Sequence, residues 1–366
     1  MKKTLFLLVA LFSAFIAPAQ NYNLIIGTYT NKGNSEGIYV YDYNSSTADT
    51  KLKSTTKSTN SSYLTIAQDN KFLYAVNEDG ENSSVSSFGF NSQSGNLTFI
   101  NKRSSEGADP CYVTSNGNQV LVANYSGGSL AAFYTDQNGM FLKPHQVLQH
   151  TGKSIDPKRQ LSAHVHQVQL TPDKKYLISN DLGEDQIYIY KIAKSHAREL
   201  TIHKAIKTNP GSGPRHLAFS PNGEFAYLAH EFNGSITAFK YKNGDLTKLQ
   251  EVATVAKDFK GKIDGADIHV SPDGKFLYET NRGDLNTMSL FSILADGSLK
   301  FIETVGTLGK GPRNFAIDPT GNHLLVAHQY TNEVVIFNRD NKTGKLTDSK
   351  KRINVGVPVC LVFSKL

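Results

Sequence analysis

Five residues stand at matched places in this chain: His166, Arg215, Glu231, Arg282 and Arg313. Arginine forks bind carboxylate or phosphate through two parallel bonds and can stabilise a developing oxyanion. A histidine or glutamate beside them can take a proton from water or from a ring carbon. The set therefore suits an anionic substrate undergoing acid–base chemistry. The competing structural reading is a group of salt-bridged rungs that hold a channel mouth together.

These residues are conspicuous because their surroundings repeat. The stretch Gly213–Glu231 (GPRHLAFSPNGEFAYLAHE) reads as a short apolar strand, a Ser-Pro-Asn-Gly turn and a second apolar strand. Proline suits the fixed φ of turn position i+1, and glycine takes the positive φ that closes the hairpin. Related copies are Gly265–Arg282, Gly311–Gln329 and His164–Asp181, with looser ones at Asp109–Tyr125 and Ser61–Glu78. The residues at the turn-glycine position (Asn70, Gly117, Lys174, Gly223, Gly274, Gly321) are spaced by 47, 57, 49, 51 and 47. A period near 40–50 with several strands per unit is the signature of a β-propeller blade.

Asn23–Tyr29 and Gly37–Tyr43 are strands with no inner strand before them, and Pro358–Phe363 is an inner strand with nothing after it. Together they make one further blade. The sequence thus predicts an all-β, seven-bladed propeller whose ring is closed by N- and C-terminal strands sharing one blade, which removes the open sheet edge. The Ser- and Thr-rich tract 45–62 reads as a loop and an edge strand. Extra residues between Met140 and Leu161 explain the 57-residue spacing and place a long loop over the central opening.

The position six before the turn proline carries His166, Arg215, Ala266 and Arg313. The second strand ends in Tyr29, Glu78, Tyr125, Asp181, Glu231, Arg282 and Gln329. Chain direction brings both sets to one end of the channel, around a single pocket. His166, Arg215, Glu231 and Arg282 are the expected catalytic residues. Arg159, His164, Asp181, His216, Arg313 and Gln329 are the expected substrate contacts, with a structural role equally open for His164 and His216. His164, His166, Asp181, Glu231, Asp267 and His269 could converge on a metal, but no tight His-x-x-x-His spacing supports this, and the arginines disfavour a cation. No metal or cofactor is expected. No G-x-S-x-G elbow offers a serine nucleophile.

Residues 1–19 read as a cleaved signal peptide: Lys2 and Lys3, an apolar core Thr4–Ile16, and Ala17-Pro18-Ala19 before Gln20. The mature domain is then 20–366, periplasmic or secreted. Losing the two lysines lowers the formal charge from +7 to +5. Lys350-Lys351-Arg352 is the one basic block, so no nucleic-acid groove is indicated. After cleavage no stretch is apolar for long enough to span a membrane, and a monomer is expected. Cys111 and Cys360 read as two buried free thiols.

Together, Ile25–Thr30 (IIGTYT), Pro157–His166 (PKRQLSAHVH), Asp181–Asp185 (DLGED), Gly213–His216 (GPRH) and Gly311–Pro319 (GPRNFAIDP) resemble the seven-bladed β-propeller lactonases, typified by bacterial propeller-type 6-phosphogluconolactonase. The resemblance runs over nearly the whole mature chain. It implies hydrolysis of a sugar lactone at the channel mouth. The family is also similar to a fungal carboxy-muconate cyclase using a His, two Arg and a Glu, which by position would be His166, Arg215, Arg282 and Glu231. The family's His-Pro-His is His164-Val-His166 here. A lactone-forming cycloisomerase and a non-catalytic binding propeller are the alternatives; a binding rim has no need of Glu231 beside His166.

Overall fold

In a computed structural model that describes residues 20–194 and 198–366, the chain forms seven four-stranded antiparallel sheets. The proposed signal segment lies outside the described residues. Each sheet is one blade, numbered here in chain order. Blade 1 is the composite: Pro358–Lys365 pairs with Asn21–Thr28, which pairs with Gly37–Asn44 and then Thr50–Lys57. Blades 2 to 7 start with the inner strands Leu64–Ile66, Pro110–Asn116, Val165–Leu170, Pro214–Phe219, Gly265–Val270 and Pro312–Ile317. The split blade and the edge strand in the polar tract stand as the sequence implied.

The repeated turn explains the repeated hairpin. All six residues at the turn-glycine position have φ between 55° and 76°, Asn70 and Lys174 included. A polar side chain just before the turn then receives the first N–H of the second strand. Ser220 does this for Phe225 at 3.0 Å, Ser271 for Phe276 at 3.0 Å and Asp318 for His323 at 3.0 Å. These side-chain bonds compete with water for the turn's backbone groups and pin the register.

The core lies between blades, where each sheet covers the next. Tyr227, Ala229 and Ile236 of blade 5 pack on Ile268, Leu277 and Phe291 of blade 6, all almost wholly buried. Burying one such side chain is worth roughly 1.5–3 kcal/mol. Polar ties fix the angle between blades: Tyr227 Oη donates to Gly297 O at 3.1 Å, and Tyr278 Oη to Gly344 O at 2.6 Å. Gly297 has φ +83°, and a Cβ there would sit 2.1 Å from the Phe225 ring, so glycine is required.

Residues 140–161 are not all loop. Phe141–Gln149 is the outer strand of blade 3, and the excursion proper runs from 150 to 164.

Candidate active site

A local defect in the sheets aims the key side chains. Where the inner strand meets the second strand, the register shifts by one residue in blades 3, 4, 5 and 7, leaving Cys111, His166, Arg215 and Arg313 without a ladder partner. The same shift skips Val359 in blade 1 and Ala266 with Asp267 in blade 6. A bulge re-aims a side chain out of the sheet, here toward the channel. The position six before the turn proline is thus the bulge.

The second set sits one step beyond the second strand, where a backbone N–H bonds a carbonyl two residues before the bulge. Glu231 N bonds Gly213 O at 2.7 Å, Arg282 N bonds Asp264 O at 2.8 Å and Gln329 N bonds Gly311 O at 3.0 Å. In blade 4 the residue making this bond is Leu182, to His164 O at 2.9 Å. Asp181 is therefore out of register with the rim by one residue, and it pairs across the ladder with Val165 as His230 does with Pro214. One residue of slip reverses the side chain, and Asp181 does not line the cavity. It is fully buried, bonded to His150 Nδ1 at 2.7 Å and to the N–H groups of His164, Gly183 and Glu184. His150, Asp181 and Glu184 bring possible ligand atoms within 4.8 Å. Tyr190 Oη bonds His150 Nε2, and Tyr188 Oη and the Gly152 N–H bond the two Glu184 carboxylate oxygens.

Leu182 is apolar and buried, and the 150–164 excursion supplies what it lacks. Gln160 anchors that loop by donating to Leu182 O at 2.8 Å, and Asp156 accepts the N–H groups of Lys158 and Arg159. Arg159 is thereby carried over the channel, its guanidinium 4.8 Å from the Phe232 ring centroid.

At the centre is the Glu231 carboxylate. Arg215 Nε and Arg282 Nη2 each donate to Oε2 at 3.0 Å, and Arg159 Nη2 donates to Oε1 at 2.6 Å. Burial alone would raise this carboxyl. The guanidinium groups of Arg282, Arg215 and Arg159 outweigh burial and hold it well below the usual carboxylate range. Arg282 also donates to Asp264 at 2.7 Å, and Arg159 to Tyr125 Oη at 3.0 Å. Burial and the neighbouring Arg282 lower Arg215 to about 10, still protonated at neutral pH.

His166 lies beside this group. Burial, then the charges of Arg215, His216, Arg313 and Arg282, push its imidazole well below its ordinary value, so it is neutral. Its Nδ1 is 3.8 Å from Cys111 Sγ, and among the described residues Nε2 has no hydrogen-bond partner. Cys111 is a buried thiol raised by burial, placed to donate to backbone carbonyls. Cys360 is also a free buried thiol.

These groups surround a cavity of about 440 Å³. His166, Glu231, Arg282, Arg159, Arg313 and Gln329 all line it. His164, His216 and Arg215 do not. His164 stacks on Tyr125 and bonds Tyr125 O at 3.0 Å. His216 is buried against Asp267, Nδ1 to Oδ1 2.8 Å. Arg215 lies below the floor, holding Glu231. Sequence reasoning missed Lys32 and Asp264, which also line the cavity. Asp264 could have been found from its place two residues before the bulge at Ala266. Lys32 sits in a loop outside the repeat and leaves no such signal. On one side Arg313 faces the Tyr29 ring at 5.5 Å and Lys32 faces it at 5.8 Å.

The fold as a whole has counterparts in known proteins. The chain belongs to the seven-bladed β-propeller lactonase family, whose model matches residues 23–363. It is 37% identical over 332 residues to a 6-phosphogluconolactonase of Formosa agariphila, covering 88% of this chain and 94% of that protein. It is 35% identical to the 6-phosphogluconolactonase of Bacillus subtilis, covering 92% and 97%. The solved structure of the periplasmic gluconolactonase of Pseudomonas aeruginosa superposes with a TM-score of 0.89 at 36% identity, covering 94% of this chain and 99% of that one.

Proposed function

We propose that the protein hydrolyses a sugar lactone in this cavity, with His166 as the general base. The observation that carries the assignment is the contrast between the two candidate bases. Both Glu231 oxygens are bonded to guanidinium groups, whereas His166 is neutral with Nε2 unpartnered beside the cavity. A neutral imidazole takes the proton of water as the water oxygen attacks the lactone carbonyl. Arg282 and Arg159 line the cavity and present positive charge where the oxyanion develops. Glu231 orients the arginines, and Arg215 fixes Glu231.

Substrate charge is read at the other wall. Arg313 and Lys32 have no carboxylate within ion-pair distance among the described residues, and both line the cavity. Glu78, bonded to the Tyr29 hydroxyl, offsets part of this charge, and the remaining positive charge of the guanidinium and ammonium suits an anionic substituent, carboxylate or phosphate. No helix among the described residues is long and apolar enough to cross a membrane. An exported, periplasmic or secreted monomer acting on a small-molecule lactone is the setting we favour, supported by the basic, apolar and small-residue pattern of residues 1–19.

The test is proton release from aldonolactones with and without a 6-phosphate, by wild type and His166→Gln. The variant should lose about a hundredfold or more in turnover, the scale of a positioned base, with its melting temperature within a few degrees of wild type. Full activity in His166→Gln removes the assignment.

A further inference from the structure

Beneath the cavity floor lies a second, much smaller space of about 10 Å³. Cys111, His166, Arg215, Arg313 and Val359, the bulge residues of five blades, line it together with Ser62. Ser62 holds the matching place in blade 2, two residues after Asn60, whose carbonyl accepts the Glu78 N–H. Cys111, His166 and Arg313 line both spaces, so the small chamber adjoins the cavity directly below the proposed base.

The chamber has the size of one water molecule, and a buried water needs two to four polar partners. Ser62 is 3% exposed, and its Oγ has no hydrogen-bond partner among the described residues. A buried hydroxyl left unpaired costs free energy comparable to a lost hydrogen bond, so this atom calls for an occupant. Arg215, Arg313, His166, His216, Tyr63 and Asn314 supply the rest of the polar lining. Cys111 is no rival as nucleophile, because burial keeps its thiol protonated.

We infer that this chamber seats the water that attacks the lactone, delivering it from below while the lactone occupies the cavity above. The inference rests on the reading of His166 as base. In this seat the water gives one hydrogen to the His166 ring nitrogen and the other to Ser62 Oγ. An arginine N–H donates to one oxygen lone pair, and the second lone pair faces the lactone carbonyl. As the water oxygen bonds to the carbonyl carbon, its proton passes to His166. The bond from that carbon to the ring oxygen then breaks, and the ring oxygen takes the proton back from His166. The carboxylic acid formed ionises and releases a proton to solvent.

A seat sized for water discriminates against larger nucleophiles, which gives the test. Gluconolactone, or its phosphate ester where wild type prefers it, is turned over in a water–methanol mixture, and acid and methyl ester are counted by mass spectrometry. Wild type should form less methyl ester than the uncatalysed reaction in the same mixture. Ser62→Ala removes one heavy atom, the difference between water and methanol, and should raise the ester-to-acid ratio several-fold. Ser62→Val fills the chamber and should cut kcat by about a hundredfold with KM little changed, as expected for loss of a group used only in the chemical step. A wild-type kcat in Ser62→Val, or a wild-type product ratio in Ser62→Ala, overturns the proposal. If Ser62→Val melts well below wild type, Ser62→Ala decides alone. Failure of the base is visible separately: an active His166→Gln sinks that reading, whatever the Ser62 variants do.

Discussion

Two buried arginine knots lie at opposite ends of the ring. At the turn end, Arg339 donates Nε to Tyr278 Oη at 2.8 Å and Nη1 to Gly321 O at 2.8 Å, and Nη2 lies 3.3 Å from Asp273 Oδ2. One guanidinium meets one carboxylate, and its other donors are taken up by neutral oxygens. At the cavity end a single carboxylate, Glu231, faces Arg159, Arg215 and Arg282, with Asp264 the only second acid bonded to them among the described residues. Arg313 adds a further charge that makes no ion pair among the described residues, although Glu78, held by Tyr29 Oη at 2.7 Å, acts on it electrostatically. The types are the same at both ends, but only the cavity end keeps a surplus of positive charge next to open space. A balanced knot ties blades together. An unbalanced one is completed by what enters the cavity.

The sharpest way to break this comparison is to remove the carboxylate from the unbalanced side. Glu231→Gln leaves three guanidinium groups without their shared anion. Breaking a buried ion pair from one side costs about 3–5 kcal/mol, so the variant should melt well below wild type and lose turnover. A melting temperature unchanged in calorimetry means the arginines are held by something else. Arg339→Met asks the same of the balanced knot. It should cost about 2–3 kcal/mol, because Tyr278 and Gly321 lose a donor, while kcat stays at the wild-type value. A fall in kcat at matched folded fraction would erase the distinction between the two ends.

A pH-dependent effect comes from Glu279, an acid close enough to feel Arg215 and Arg282. Burial raises its carboxyl to about 8, with Thr254 and Arg215 only partly offsetting this, and Oε2 has no partner among the described residues. The folded pKa lies above the unfolded value of about 4.3. The contribution of the protonated acid is therefore complete below that value and is lost as pH rises toward 8. Glu279→Gln removes the ionisable group. It should match wild type near pH 4 and melt progressively higher than wild type as pH rises from there toward 8. Equal melting curves across that range would show that Glu279 is ionised in the folded protein and belongs among the acids that balance the arginines.

Much of this architecture was legible because a propeller writes its blade out repeatedly. The turn spacing, the unpaired strands at both ends and the place six before the turn proline are all local patterns, and local patterns survive in sequence. The slip at Asp181 shows the limit of reading by type. Glu231, Arg282 and Gln329 lie ten residues after the turn prolines Pro221, Pro272 and Pro319, whereas Asp181 lies nine after Pro172. Counting would have named Leu182; looking for a polar residue named its neighbour. His216 was illegible for another reason. Its partner Asp267 belongs to the next blade and also binds His269 and Asn314, and nothing within one repeat announces a bond to another. Arg159 stands on the long 150–164 excursion, so the blade repeat itself assigns it no position.

The composite blade also bears on how the molecule is assembled. Pro358–Lys365, which closes the ring against Asn21–Thr28, is the last strand in chain order. A folding chain can stack blades 2 to 7 from strands consecutive in sequence. Throughout that time the first strand keeps an unpaired backbone edge, the kind of edge that invites pairing with another chain. Contacts between the two chain ends carry the full loop-closure cost and come late. A partly folded chain keeps that edge exposed, whereas the closed ring hides its seam. The placement of a single strand thus ties completion of the ring to the pairing of two strands far apart in sequence.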